Sequence, residues 1–501
     1  MMLPSRLIFL VGRGSTGPER DPVQDNMTRP VFLPAFIRPD PASLDALPVR
    51  IYRNLLAAIR AGSISAGMKL PSSRKAAETL GVSRSTVNTA YDLLRAEGVL
   101  RMRPGTAAEI IVPKIVEAGK ELLPERRISE RGCLLSEDVR AGSYAVATGT
   151  MGPGVPDEAL FPSDEWGRIL RRVTRQRHGS LAAYENPFGI SALREVVAER
   201  LYADRGVHVS PEQILITTGT QASLTLIAQV MTDPGDTAAL EDPAHLGART
   251  AFLGAGLKLA PVPVDEDGIV PAFIPDDARV VYVTPSNQYP LGSRLSFSRR
   301  MQILEQARRT GALILEDDYD SEFLWRGREI AAMAAYARGG EVIYLGSAAK
   351  TLLPALRIGW MAVPRPLVKP LRAALRNFGM MANLHTQLAL AEMMRSGLYR
   401  AQLRRIAKTY EMRGNALFQA LACRETVEVR QPDGGVQLAV RFRKSGFESR
   451  VMTELGQKGF RPARLSALCL AEKMEGLVMG FADATEESVN RFCSTLDEIL
   501  C

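Results

Sequence analysis

The sequence predicts a multidomain chain: a small winged helix-turn-helix, mainly α with a β wing, followed by a large α/β unit on a mainly parallel sheet. Three observations carry this. First, the 501-residue chain has a formal net charge of +8, and residues 47–112 hold ten basic and four acidic residues, most of that surplus. Second, three helical periodicities in the same stretch run into a Pro-Gly turn. Third, from about residue 150 short continuous apolar strands alternate with helices, the pattern of a parallel sheet covered on both faces. Length allows about two to four folding units. A composition of 46% hydrophobic and 24% charged residues excludes a disordered or collagen-like chain. No apolar run approaches the ~18 residues of a membrane helix, so no membrane partner is expected.

Residues 1–27 are expected to form a disordered tail, with Met27 as the native start. Gly12, Gly14 and Gly17 spell G-x-G-x-x-G, but Pro18 to Pro22 make a poor helix start, so the match carries no dinucleotide site. The five cysteines are scattered without a C-x-x-C spacing, which argues for a reducing cytoplasm. The four histidines are isolated, and no metal site is expected.

Residues 28–112 are expected to be the DNA reader. Val49, Tyr52, Leu55, Leu56 and Ile59 recur at helical spacing. Pro71 and Ser72 open a second helix that runs through Leu80 and ends at Gly81. Ser83 is a suitable N-cap for a third, in which Val87, Ala90, Tyr91 and Leu94 make the buried stripe. Its N-terminal end carries Arg84, Ser85, Thr86 and Asn88, short polar and basic side chains of the kind that reach base edges and phosphates. Gly98 to Leu100 lead into Arg101, Arg103, Pro104 and Gly105, read as a β-hairpin wing. The run "GMKLPSSRKAAETLGVSRSTVNTAYDLLRAEGVLRMRPGT" resembles the GntR-type winged helix. The resemblance implies a double-stranded DNA operator as partner. Arg74, Arg84, Ser85 and Thr86 would touch the major groove or its phosphates, and Gly105 would approach the minor groove. Ala107-Ala108 stand where that family often has a second glycine.

Residues 113–145 read as a charged linker, and 146–501 as the large unit. Strands are expected at 214–217, 237–240, 280–283, 313–315 and 342–345. Ligands of such sheets bind at the strands' carboxyl ends, so the polar residues there matter most. Gly219, Thr220 and Gln221 precede a helix expected to start near Ala222, a turn suited to phosphate. Glu316, Asp317, Asp318 and Tyr319 follow another strand; Ser347, Lys350 and Arg357 follow a third. A lysine here can carry a Schiff base, an arginine can clamp a phosphate, and a carboxylate can hold a ring nitrogen protonated. Together they describe a site for pyridoxal 5′-phosphate.

The motifs "GVPDEALFP", "ITTGTQASL", "EDPAHLGAR", "VYVTPSNQYPLG", "LEDDYDSEF" and "GSAAKTLLPALRIGW" resemble a PLP-dependent transferase of fold type I, an aminotransferase-like domain. With the winged helix, about 90% of the chain resembles the MocR/GabR family of bacterial transcription regulators. The resemblance implies that Lys350 forms the Schiff base and Asp317 binds the pyridine nitrogen. Tyr319 would meet the ring hydroxyl, and Gly219, Thr220, Gln221, Ser347 and Arg357 would hold the phosphate. His245 stands where the family usually has a ring-stacking tyrosine, and Ala348-Ala349 replace the usual Phe-Ser. The arginine that grips a substrate carboxylate in aminotransferases is missing. The matching strand reads Leu477 to Phe481, and no arginine lies between Arg464 and Arg491. Arg461 and Arg464 are the available substitutes.

The function expected is a DNA-binding regulator whose PLP-bound domain senses a small-molecule effector: an amine, an amino acid or PLP itself. It would act as a cytoplasmic, nucleoid-associated homodimer, with partial PLP chemistry at most. The alternative is a PLP-dependent aminotransferase with an accessory DNA-binding module; the missing arginine argues against it.

Overall fold

The computed structural model describes residues 45–103, 106–111, 127–137, 149–175, 187–326, 331–338 and 340–500. The expected tail and Met27 lie outside the described residues. The chain divides into two compact units, the second beginning at Arg127.

The first unit has three helices, α1 (Leu47–Arg60), α2 (Ser73–Leu80) and α3 (Arg84–Ala96), and a hairpin of β1 (Leu100–Arg101) and β2 (Glu109–Ile110). The caps are those expected. Ser72 Oγ accepts from Lys75 N, Ser83 Oγ accepts from Thr86 N, and Gly81 ends α2 in the left-handed region at φ 67°. The stripe Val87, Ala90, Tyr91 and Leu94 is buried. In α1 the buried stripe is Ile51, Leu55, Ala58 and Ile59; Val49, Tyr52 and Leu56 are partly exposed at its margin. The expected periodicity was therefore rotated by part of a turn. Leu100 pairs with Ile110 and Arg101 with Glu109, antiparallel. Leu100 and Ile110 are buried, which fastens the hairpin to the helical core.

The expected linker is described at 127–137, where α4 (Glu130–Glu137) forms within the second unit. That unit is built on an eight-stranded sheet ordered β3-β10-β9-β8-β7-β4-β5-β6. The strands are β3 (Ile214–Thr217), β4 (Thr237–Asp242), β5 (Lys258–Asp265), β6 (Gly268–Ile269), β7 (Ala278–Val283), β8 (Leu313–Asp318), β9 (Val342–Ser347) and β10 (Gly359–Ala362). The centre is parallel, as expected, but the sheet is mixed. β10 runs antiparallel to β3 and β9, and β6 antiparallel to β5. Because β10 is reversed against both neighbours, β3 points the same way as β9, and the carboxyl ends of β3, β4, β7, β8 and β9 share one edge. Apolar residues of alternate parity fill both faces. Leu215, Leu240, Val280, Leu315 and Leu345 pack on one side, and Ala239, Val281, Ile314 and Val342 on the other. This two-sided burial is why the strands read as continuous apolar runs.

A four-stranded antiparallel sheet follows, ordered β11-β12-β14-β13: β11 (Val427–Val429), β12 (Gln437–Phe442), β13 (Ala463–Arg464) and β14 (Gly476–Gly480). Among the described residues no helix is long and apolar enough to cross a membrane.

Candidate functional site

In the first unit the expected DNA-facing residues sit on exposed helix starts. Arg74 is in the first turn of α2 and exposed. Arg84 and Ser85 open α3, both exposed, with Thr86 partly so. Arg84 Nε donates to Ser73 Oγ at 3.2 Å, which ties this guanidinium to the start of α2. The Ser85 and Thr86 hydroxyls each lie 2.7 Å from Ser83 Oγ. Gly105 lies outside the described residues.

In the second unit the polar residues gather at the shared sheet edge. β8 extends through Asp318, so the acidic run is the strand's end rather than the loop beyond it. Alternation then separates three adjacent carboxylates. Glu316 accepts from Met333 N at 2.7 Å and Ala334 N at 2.8 Å. Asp318 accepts from Tyr344 Oη at 2.6 Å and pairs with Arg205 Nε at 2.8 Å. Both therefore have structural partners. Asp317 points the other way, beside Tyr282, whose hydroxyl donates to Oδ2 at 2.7 Å. Asp317 Oδ1 is buried and has no hydrogen-bond partner among the described residues. Burial pushes the Asp317 carboxyl up to about 7; the Tyr282 hydrogen bond opposes that rise, Asp318 adds to it, and Lys350 opposes it.

Lys350 Nζ donates to Gly154 O at 2.5 Å. Burial lowers its pKa, against the pull of Asp320 and Asp317, and so favours a neutral nucleophilic amine. Ser347 Oγ, at the end of β9, accepts from Ala349 N at 3.0 Å and orders the turn before the lysine.

The helix Thr220–Met231 begins two residues earlier than expected, with Gly219 as N-cap at φ 121° and ψ 171°. Only glycine adopts that conformation readily. Thr220 and Gln221 thus lie in the first turn, where unpaired amides attract an anion. Arg357 is exposed and is a non-glycine residue in the left-handed region at φ 51°. Such a backbone costs of order 1–3 kcal/mol and concentrates at functional sites.

Gln221 Nε2 donates to Gly247 O at 3.1 Å, next to His245. The His245 ring lies 23° from parallel with Tyr282, centroids 6.5 Å apart, and edge-on to Tyr289 at 5.4 Å. Tyr319 Oη donates to Asn287 O at 2.9 Å. Burial lifts the Tyr319 hydroxyl well above its ordinary pKa, so it stays protonated.

Arg461 and Arg464 are turned to other work. Arg461 Nη1 donates to Gly456 O at 2.9 Å and Phe460 O at 3.0 Å, and the exposed Arg464 donates to Ser449 Oγ at 2.9 Å. These bonds use Nη1 of each guanidinium, and the buried Nε of Arg461 has no hydrogen-bond partner among the described residues. Tyr282, Gly154, Asn287 and Gln437 were not anticipated. For Tyr282 the available signal was one hydroxyl in an apolar strand.

These parts make a buried carboxylate with one open oxygen, an amine whose pKa burial lowers and a glycine-capped helix start of the kind that suits an anion. Fold and site together define a fold-type I transferase unit carried behind a winged helix-turn-helix. Residues 155–494 match the family described as aminotransferase class I and II, and residues 47–110 match the bacterial regulatory proteins of the gntR family. The probable rhizopine catabolism regulatory protein MocR of Rhizobium meliloti is 35% identical over 462 residues, covering 89% of this chain and 92% of its own. The HTH-type pyridoxine biosynthesis transcriptional regulator PdxR of Corynebacterium glutamicum is 29% identical over 459 residues, covering 91% and 96%. Among solved structures, a kynurenine aminotransferase of Pyrococcus horikoshii is similar with a TM-score of 0.66 at 25% identity, over 75% of this chain and 95% of its own. The chain belongs to the MocR-like family, in which a GntR helix-turn-helix precedes an aminotransferase class I and II domain.

Proposed function

We propose that this protein is a transcription regulator that binds operator DNA through its first unit and senses a small effector through a PLP-loaded second unit. The observation that carries the reading is Asp317: a buried carboxylate with one oxygen fixed by Tyr282 and the other open, within the field of Lys350. An orphaned buried acceptor is costly unless a ligand donor meets it, and a protonated ring nitrogen fits. Bound PLP supplies an electron-withdrawing ring and an aldehyde that a lysine amine can capture.

In this reading Asp317 Oδ1 would hold the proton on the ring nitrogen. Lys350 would bind the aldehyde carbon. Gly219, Thr220 and Gln221, with Ser347 and Arg357, would hold the phosphate. His245 would lie against the ring, and Tyr319 would face its hydroxyl. β14 carries no arginine to fork a substrate carboxylate, and Arg461 and Arg464 each make a local bond through Nη1, which favours sensing over a transamination cycle. The reading extends to a cytoplasmic homodimer whose effector, an amine, an amino acid or PLP itself, shifts it between states of unequal operator affinity. The expected division at 28–112, 113–145 and 146–501 is part of the same proposal. So is a wing-tip contact by Gly105.

On the DNA side, Arg74, Arg84, Ser85 and Thr86 would touch the major groove or its phosphates. Arg84→Ala should weaken specific operator binding by about 1–3 kcal/mol, as expected for a base-reading arginine. Fluorescence anisotropy at fixed salt measures this, and unaltered affinity would remove Arg84 from the interface.

A further inference from the structure

Gln437 opens β12 and is 6% exposed. Neither its amide oxygen nor its amide nitrogen has a hydrogen-bond partner among the described residues. A buried amide left unpaired is costly, so such a group points to a ligand that supplies the partners. The side chain lies close to the lysine across Gly154. A Cβ added at Gly154 would lie 3.4 Å from Gln437 Oε1 and 2.7 Å from Lys350 Nζ. Gln437 and Lys350 therefore flank the same bare stretch of backbone.

The neighbouring wall is apolar. Gln437 pairs with Gly480 and Ala439 with Val478, so by strand alternation Val478 shares the face of Gln437. Val478 packs with Leu465, Leu468 and Tyr289, and Tyr289 in turn meets His245 and Tyr319. β14 thus carries a buried valine on the sheet face that Gln437 occupies. Nη1 of Arg461 and of Arg464 bonds elsewhere, and the buried Asp317 and Asp320 act on Lys350.

We infer that the effector held beside Lys350 is a primary amine bearing a neutral hydrogen-bonding group, a hydroxyl or an amide, in place of a carboxylate, and that Gln437 reads that group. This rests on the sensor reading above. A hydroxyl donates and accepts, and so satisfies both halves of the Gln437 amide. A carboxylate only accepts. It would leave Oε1 facing an anion and bring negative charge against an apolar wall and two acidic residues.

Calorimetric titration of the cofactor-loaded full chain with 3-amino-1-propanol and with β-alanine tests this, because the two differ only at the end remote from the amine. The alcohol should bind at least about tenfold more tightly. Gln437→Leu should lower its affinity by about tenfold. Gln437→Arg should shift the preference toward β-alanine. Equal or tighter binding of β-alanine by the unsubstituted protein overturns the inference, as does binding of neither compound or an unchanged preference in both variants. The first comparison needs no variant to fold. A chain that shows no visible band with PLP before titration overturns the sensor reading itself.

Discussion

Replacing Lys350 by alanine should abolish the visible absorption band that the protein develops with PLP. The band requires a carbon–nitrogen double bond to the cofactor, and Lys350 is the amine proposed to form it. Its Nζ is held by Gly154 O at 2.5 Å and acts electrostatically on Asp317. Burial lowers its pKa, so a larger share of the amine is neutral and nucleophilic at pH 7 than for a surface lysine. After borohydride reduction, intact-mass measurement should find the cofactor fixed to the unsubstituted chain and not to the variant. A band of unchanged position and strength in Lys350→Ala would assign the covalent role to another residue.

Asp317→Asn should have two effects of opposite sign. The Asp317 carboxyl is pushed up to about 7 by burial. Between the ordinary carboxyl range near 4 and about 7, the folded cofactor-free chain keeps a proton that the unfolded chain releases. Stability therefore falls as pH rises through that window, and the full penalty is present above it. Asparagine keeps the shape and an acceptor for Tyr282 but cannot ionise. Without cofactor the variant should be more stable than the unsubstituted chain by roughly 2–4 kcal/mol at pH 8, with a smaller difference at pH 5. Glu241 and Glu322 are likewise pushed to about 7 by burial, so part of the pH dependence should persist. Cofactor affinity should move the other way, by about 1.5–3 kcal/mol, because the ring nitrogen loses a charged partner. Denaturant titrations across this pH range and a PLP binding isotherm measure the two effects. Unchanged stability at pH 8 together with unchanged affinity would mean that the open oxygen of Asp317 has no role.

The winged helix was largely legible because its signals are local. Ser72, Ser83 and Gly81 mark helix ends within a few residues of the groups they cap. Lys350, Asp317 and Gly219 were legible for a related reason: each lies at or beside the end of an apolar strand, so a strand pattern identifies its position. β5 and β10 escaped notice. The β5 sequence, Lys258–Asp265, carries Pro261 and Pro263, which argue against a strand. They are tolerated because β5 has the parallel β4 along one side and meets β6 only at Val264 and Asp265 on the other. β10 has four residues, and its reversed direction depends on neighbours far away in sequence. Gln437 and Gly154 were illegible for the same cause. Their approach to Lys350 is fixed by the register of β12 on β14 and by the loop that Gly480 admits, where a Cβ would lie 2.2 Å from Gly152 O. Alternation along β8 could have singled out Asp317 from Glu316 and Asp318, had the strand been extended through the acidic run.

The central claim is that the state of the Lys350 site sets operator affinity. A gel shift on the DNA upstream of the protein's own coding sequence tests it, with PLP and then 3-amino-1-propanol titrated in. The cofactor-loaded protein should change its half-saturation by at least about fivefold when the amine is added, the scale of a modest coupling between sites. Lys350→Ala should bind the same DNA without that change. An operator affinity that neither PLP nor the amine alters in the unsubstituted protein would contradict the account.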